Sequence, residues 1–94
     1  MTPVTVYIPS TFRRLTNNEE HVTVEGTCVS EVLDSLDTAY PGIGDLIYDA
    51  DHEIPRHINI YVNNQEIHDL NGTATEVADG DQVAVIPALA GGSQ

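Results

Sequence analysis

The spacing of hydrophobic and polar positions changes twice along this chain. Val4, Val6 and Ile8 alternate with Thr5 and Tyr7 ahead of Pro9, the period-two pattern of a strand with one buried face. Ser10 to Glu20 is polar and reads as a loop or wide hairpin turn with Asn17-Asn18 at its tip. Val22 and Val24 mark a second short strand, Gly26 ends it, and Thr27 is the expected N-cap of a helix. From Val29 the period becomes helical. Val29, Val32, Leu33, Leu36 and Tyr40 share one face, while Ser30, Glu31, Asp34 and Asp37 take the other. Pro41-Gly42 stops that helix, Ile43 to Tyr48 allows one further turn, and Asp49 to Arg56 reads as an acidic loop.

Alternation returns at Ile58, Ile60 and Val62, with Asn59 and Tyr61 between them. Asn63-Asn64 predicts a hairpin into a short strand around Glu66–His68. Asn71-Gly72 reads as a turn, Thr75 to Ala78 as a single helical turn, and Asp79-Gly80-Asp81 as the sharpest turn in the chain. The last strand is Gln82–Ile86, with Val83 and Val85 on one face, Ala84 and Ile86 on the other, and Pro87 as its end. The order is ββαβββ around one helix, an α+β roll. It predicts one domain over residues 1–87 and a flexible tail over 88–94.

Composition narrows what such a roll does. At 94 residues there is room for one core and no cofactor cavity beside it. The apolar runs are too short for a membrane-spanning helix, and the N-terminus lacks the basic and apolar regions of a secretory signal. The single cysteine, Cys28, forms no internal disulfide, fits a reducing cytosol, and is expected as a small buried residue rather than a nucleophile. Fifteen acidic residues against three arginines and no lysine give a net charge of −12. Phosphate backbones and anionic membranes repel such a chain, so it is expected to bind neither, and its partners should present basic surfaces. An acidic proteome or a need for solubility gives the same balance.

The residues offer little catalytic chemistry. His21, His52, His57 and His68 show no i, i+4 pair, and no C-x-x-C accompanies Cys28, so no zinc site is expected. Asp49, Asp51 and Glu53 resemble the start of a calcium loop but lack its central glycine and distal glutamate. Asn71-Gly72-Thr73 spells a glycosylation sequon and reads as a turn. What remains is Gly91-Gly92 in the tail, where residues without Cβ let a carboxylate enter a narrow cleft in another protein.

Order of elements and tail together resemble the ubiquitin-like β-grasp sulfur carriers of the MoaD/ThiS family. Four stretches carry the resemblance: Val4–Pro9, Glu31–Ile43, His57–Ile67, and Asp79–Gly92. The last is the most specific, joining the Asp-Gly-Asp turn, the final strand, a proline and the diglycine at the family's spacing. The acidic loop and the Asn59–Asn63 strand look most like the cysteine-synthesis (CysO-like) carriers, and archaeal small modifier proteins are similar as well.

The resemblance implies a β-grasp roll, a mixed four- to five-stranded sheet wrapped on one main helix, and a carrier rather than an enzyme. It implies a tail of Leu89, Ala90, Gly91 and Gly92 whose terminal carboxylate, on Gly92, is adenylated by an E1-like adenylyltransferase using ATP and magnesium. Sulfur, from a donor such as a rhodanese-type domain, then displaces AMP to leave a thiocarboxylate. In the CysO-like branch a pyridoxal-phosphate (PLP)-dependent cysteine synthase uses it, and a JAMM-type metalloprotease releases the product. No intrinsic cofactor and a cytoplasmic location follow. Here Ser93 and Gln94 succeed Gly92, so the resemblance implies a precursor cleaved between Gly92 and Ser93. Alternatives are a molybdopterin synthase small subunit, a covalent protein modifier, and a ubiquitin-like interaction module with an inert tail. In the family's strand order, alternation puts Tyr7, Tyr61 and Ile86 on the sheet face away from the helix, as an apolar partner-binding patch.

Overall fold

The structure is a computed structural model that describes residues 2–51 and 53–87. Its elements are β1 (Pro3–Tyr7), a 3-10 helix (Ser10–Leu15), β2 (His21–Glu25), α1 (Val29–Ala39), α2 (Gly44–Ile47) and β3 (Ile58–Val62). β4 (Gln65–Glu66), two short 3-10 helices (Ile67–Asp69 and Gly72–Ala74) and β5 (Gln82–Pro87) complete it. The strands form one five-stranded sheet in the order β2-β1-β5-β3-β4. β5 runs parallel to β1 and antiparallel to β3, and the two outer pairs are antiparallel. This is the expected mixed sheet with one main helix on it.

Alternation decides which side chains fill the space between sheet and helix. Val4, Val6 and Ile8, then Ile58, Ile60 and Val62, then Val83 and Val85 are all buried. From α1 they meet Val29, Val32, Leu33 and Leu36, the helical face read from the i, i+3, i+4 spacing. Each fully buried aliphatic side chain of this size contributes about 1.5–3 kcal/mol relative to exposure, so this face outweighs the helix's acidic content.

The segment between β1 and β2 departs from the expected loop. It forms a 3-10 helix because Phe12 turns inward as a core plug, and Thr16 is buried behind it. The Thr16 hydroxyl reaches the Glu19 carbonyl at 3.0 Å and the Arg13 carbonyl at 3.3 Å, which settles its burial without an unpaired donor. Asn17 and Asn18 then turn the chain at φ values of 56° and 67°, a region that asparagine tolerates better than most residues.

Helix α1 also starts differently. Its N-cap is Cys28, not Thr27, and the Cys28 side chain makes no cap bond. Thr27 instead donates its N–H and hydroxyl to Glu31 Oε1 at 2.9 and 2.7 Å. This is the reach-back half of a capping box, displaced by one residue. These two bonds, the backbone one first, hold the Glu31 carboxyl below its ordinary value. The orphan N–H of Val29 goes to the Thr75 carbonyl at 3.0 Å, and the Val77 N–H goes to the Thr27 carbonyl at 3.1 Å. Capping the helix in this way keeps residues 75–77 extended, as a bridge between Glu76 and Cys28, so the expected helical turn there does not form. Cys28 is half-buried rather than buried. Gly26 is required by a close approach: a Cβ there would lie 2.8 Å from the Val32 backbone nitrogen.

β4 is shorter than the expected Glu66–His68 strand. It comprises Gln65 and Glu66, and Ile67 leaves the ladder to bury its side chain in a 3-10 turn. Asn63 and Asn64 make the predicted hairpin turn with φ of 51° and 75°. The expected tail over 88–94 lies outside the described residues.

The Asp79-Gly80-Asp81 turn launches β5. Gly80 takes a φ of 87° and donates its N–H to the Pro3 carbonyl at 3.0 Å. Asp81 Oδ2 accepts the Ala78 N–H at 2.8 Å, and this bond, with help from the Asn63 side chain, holds its carboxyl below the ordinary value of 3.8. A lowered folded pKa means stability that is complete above the free value and lost as pH falls through the folded one. We therefore expect Asp81→Asn to lower Tm by a few degrees at pH 7, measured in high salt to screen general repulsion among the acids. The difference from wild type should vanish under strongly acidic conditions; a difference that persists at acid pH would mean that the carboxylate charge is not what holds the turn.

Candidate functional site

The sheet face away from α1 carries the residues that alternation assigned to it. Tyr7 and Tyr61 both pair with Ala84, so the two rings flank a small residue across three adjacent strands. Ile86 follows on β5 beside Asn59, and at 38% exposure it is one of two large hydrophobic residues exposed among those described. Tyr7, Pro9, Thr11 and Ile86 border a depression of about 160 Å³ that reaches Pro87, the last described residue.

This face is more polar than an aliphatic and aromatic patch. Arg13, on the 3-10 helix, swings over it. Its guanidinium carbon lies 5.7 Å from the centre of the Tyr7 ring, and Nη2 donates to the Tyr7 hydroxyl at 3.2 Å. Nε donates to the Ile8 carbonyl at 3.0 Å, and Nη2 also reaches Glu20 at 3.5 Å. His21 also meets Tyr7 edge-on, with ring centres 5.6 Å apart. One arginine thus ties the end of β1, the 3-10 helix and the start of β2 together. Arg13 escaped the sequence reading, although an arginine placed just after a strand in a chain with three basic residues is a signal for it.

Other singled-out residues fall elsewhere. His68 Nδ1 lies 2.8 Å from Glu66 Oε2 at the β4 edge. Asp49 Oδ1 accepts the N–H groups of Asp51 and Glu53 at 2.9 and 3.0 Å, which makes the acidic loop a self-capped turn. Among the described residues no three metal-ligating side chains converge. A second cleft, of about 370 Å³, runs between α1 and the acidic loop past Ser30, Asp34, Tyr48 and His68. Burial, and then the Asp34 and Cys28 side chains, raise the Tyr48 hydroxyl above its ordinary value. Cys28 Sγ sits 3.3 Å from Ser30 Oγ, a contact that supplies no base. Leu89, Ala90, Gly91, Gly92, Ser93 and Gln94, with His52, lie outside the described residues. No helix among the described residues is long and apolar enough to cross a membrane.

Comparison with known proteins places this geometry. The ThiS family profile matches residues 6–92. The sulfur carrier protein CysO of Mycobacterium tuberculosis is 37% identical over 91 residues, covering 95% of this chain and 98% of that protein. Small archaeal modifier protein 3 of Haloferax volcanii is 45% identical over 65 residues, 68% of each chain. Among solved structures, the Amycolatopsis orientalis BexX/CysO complex matches with a TM-score of 0.86 at 34% identity, covering 92% of this chain and 96% of the matched one. The crystal structure of Mycobacterium tuberculosis CysO gives a TM-score of 0.86 at 35% identity, covering 92% of this chain and 99% of that one.

Arg13 is the residue to test for the integrity of the open face. Arg13→Ala should cost about 1 kcal/mol of stability through the lost carbonyl bond and ring packing, read by chemical denaturation. Arg13→Lys should rescue little of it, because a lysine ammonium lacks the fork that reaches a carbonyl and a tyrosine together. Full rescue by lysine would mean that only the charge matters.

Proposed function

The chain belongs to the ThiS family, and on that premise we propose that it carries sulfur as a thiocarboxylate on Gly92. The observation that supports this most directly is the family match, which runs through residue 92 and so includes Gly91-Gly92. The fold contributes the base of the tail. β5 is bonded on both sides, and Gly92 lies five positions beyond Pro87, within reach of a partner gripping the open face.

The chemistry needs activation because a carboxylate is a poor electrophile. In the proposed cycle an E1-like enzyme with ATP and magnesium joins the Gly92 carboxylate to AMP, releasing pyrophosphate. The terminal sulfur of a persulfide donor then attacks the acyl carbon and AMP leaves; a second thiol cleaves the resulting acyl disulfide, forming a disulfide with the donor's remaining sulfur and releasing the thiocarboxylate. The thiocarboxylate becomes a tethered nucleophile, usable without release of free sulfide. Similarity to CysO favours transfer to a PLP-dependent cysteine synthase, followed by release through a JAMM-type metalloprotease. The absence of an intrinsic cofactor and a cytoplasmic setting are part of the same reading. The Amycolatopsis CysO is seen in complex with BexX, which supports docking of a partner protein on this chain; in this reading Tyr7, Tyr61 and Ile86 of the open face form the contact.

A second reading is favoured by the 45% identity to an archaeal modifier protein, in which the activated Gly92 is joined to lysines of other proteins. The absence of lysine from this chain precludes capture by its own side-chain amines and lysine-linked chains.

The peptide bond between Gly92 and Ser93 leaves no carboxylate to adenylate. We therefore expect pyrophosphate exchange with the activating enzyme for a chain ending at Gly92, and none for a chain that retains Ser93-Gln94. Equal activity of both would remove the precursor reading. Incubated with a sulfur donor, the shorter chain should show one oxygen replaced by sulfur in its intact mass; isopeptide adducts alone would favour the modifier.

Ile86→Ala should weaken binding to the activating enzyme by about 1–2 kcal/mol with the fold intact, as truncation of an interface hot spot does. Calorimetry on both proteins checks this, and unchanged affinity would confine recognition to the tail.

A further inference from the structure

A sheet order of β2-β1-β5-β3-β4 leaves two edges. β4 is blunted by its length of two residues, whereas β2 presents five. The direction of the β2 backbone groups follows from the ladder. Gly26 donates to the Thr2 carbonyl at 3.1 Å, and Ile8 donates to the Glu20 carbonyl at 2.7 Å. Antiparallel pairing alternates, so Val24 and Val22 bond to β1, and His21, Thr23 and Glu25 turn their N–H and C=O groups outward. The Glu25 carbonyl is taken by the Ser35 hydroxyl at 2.6 Å, which fastens that end of the edge to α1.

Beside this edge runs a groove of about 420 Å³, with Thr23 to Glu25 on one wall and Asp34, Ser35, Thr38 and Ala39 of α1 on the other. Val24 gives it an apolar floor, and Glu25 and Asp34 give it negative rims. No basic side chain lines it among the described residues. Glu25 lies opposite Pro3, at the end of the sheet where β5 begins, whereas Pro87, the last described residue, lies at the other end.

We propose that the β2 edge and the groove between β2 and α1 form a second docking site, which takes an extended segment of a partner protein with alternating apolar residues and basic flanks. The segment adds a strand to β2 through the outward groups of His21 and Thr23, and sets an apolar side chain against Val24. Basic flanks follow from Glu25, Asp34 and the net charge of −12. The same charge disfavours a second copy of this chain as the occupant, since edge-to-edge pairing would bring two strongly acidic surfaces together.

The probe is a synthetic peptide of alternating valine and threonine flanked by arginines, with a glutamate-flanked peptide of the same core as control. Backbone amide shifts of the full chain are followed by NMR during titration. Shifts should concentrate in residues 21–25 and 34–39, and the glutamate-flanked peptide should bind about tenfold or more weaker. Thr23→Pro removes one outward donor while leaving the β1 ladder bonds in place, and should abolish binding. Ala39→Arg, which fills the groove and sets a positive charge against its two carboxylates without touching the strand, should do the same if Thr23→Pro perturbs the fold. Shifts centred on Tyr7 and Ile86, equal affinity for both peptides, concentration-dependent self-association through residues 21–25, or no binding at all would each overturn the proposal. Thiocarboxylate formation at Gly92 is read separately, so the two ideas fail independently.

Discussion

The last strand of the chain holds the centre of the sheet. β5 lies between β1 and β3, parallel to one and antiparallel to the other, and nothing else in the ladder joins those two strands. Without β5 the sheet is two separate hairpins, and the face of α1 has no continuous surface to cover. Val83 and Val85, buried at 0% and 1%, complete the core at its middle. Pairing Thr5 with Gln82 closes nearly the whole domain as one loop, so the fold forms cooperatively and only when its C-terminal strand is available. The same constraint serves a carrier: whatever follows Pro87 departs from a strand bonded on both edges.

Charge shapes what this scaffold meets. Of three basic residues, Arg13 is spent internally, on a carbonyl, a tyrosine hydroxyl and a glutamate. The outward field is therefore acidic almost everywhere, and it attracts any basic partner without selecting among them. Selection has to come from shape: the Tyr7–Ala84–Tyr61 row and Ile86 on the open face, and the open groove beside β2. Long-range charge sets how fast partners arrive, and these short-range features decide which ones stay.

Much of this was legible in the sequence because burial follows periodicity. The inward valines and isoleucines, the α1 face and the outward Tyr7, Tyr61 and Ile86 all came from counting by two or by 3.6. Misread segments were those governed by contacts far apart in sequence. Residues 75–77 are extended because they cap a helix more than forty positions upstream, a bond no local pattern records. Phe12 reads as a lone aromatic in a polar stretch, and only the cavity it fills explains the 3-10 helix around it. Arg13 joins three elements that are separate in the chain, so its role emerges only once they are folded. The diglycine stands out in the sequence without tertiary context, and it lies outside the described residues.

In the proposed cycle the carrier is handed from one enzyme to the next, and each of them needs the same terminal carboxyl group. Enzymes that grip the open face beside Ile86 to receive the tail therefore exclude one another, and transfer between them requires full release. A groove at the opposite side of the sheet changes that arithmetic. A segment of one partner held at β2 would keep the carrier tethered while its tail is exchanged, raising the effective concentration of the carrier at the next active site to a value set by the tether. The tether has to be weak enough to let go, and an exposed edge with two free residues and screened charges provides binding of that order. The order of the elements makes both surfaces possible at once: β5 at the centre carries Ile86 on the open face, and β2 at the margin keeps one edge open because, among the described residues, only β1 pairs with it.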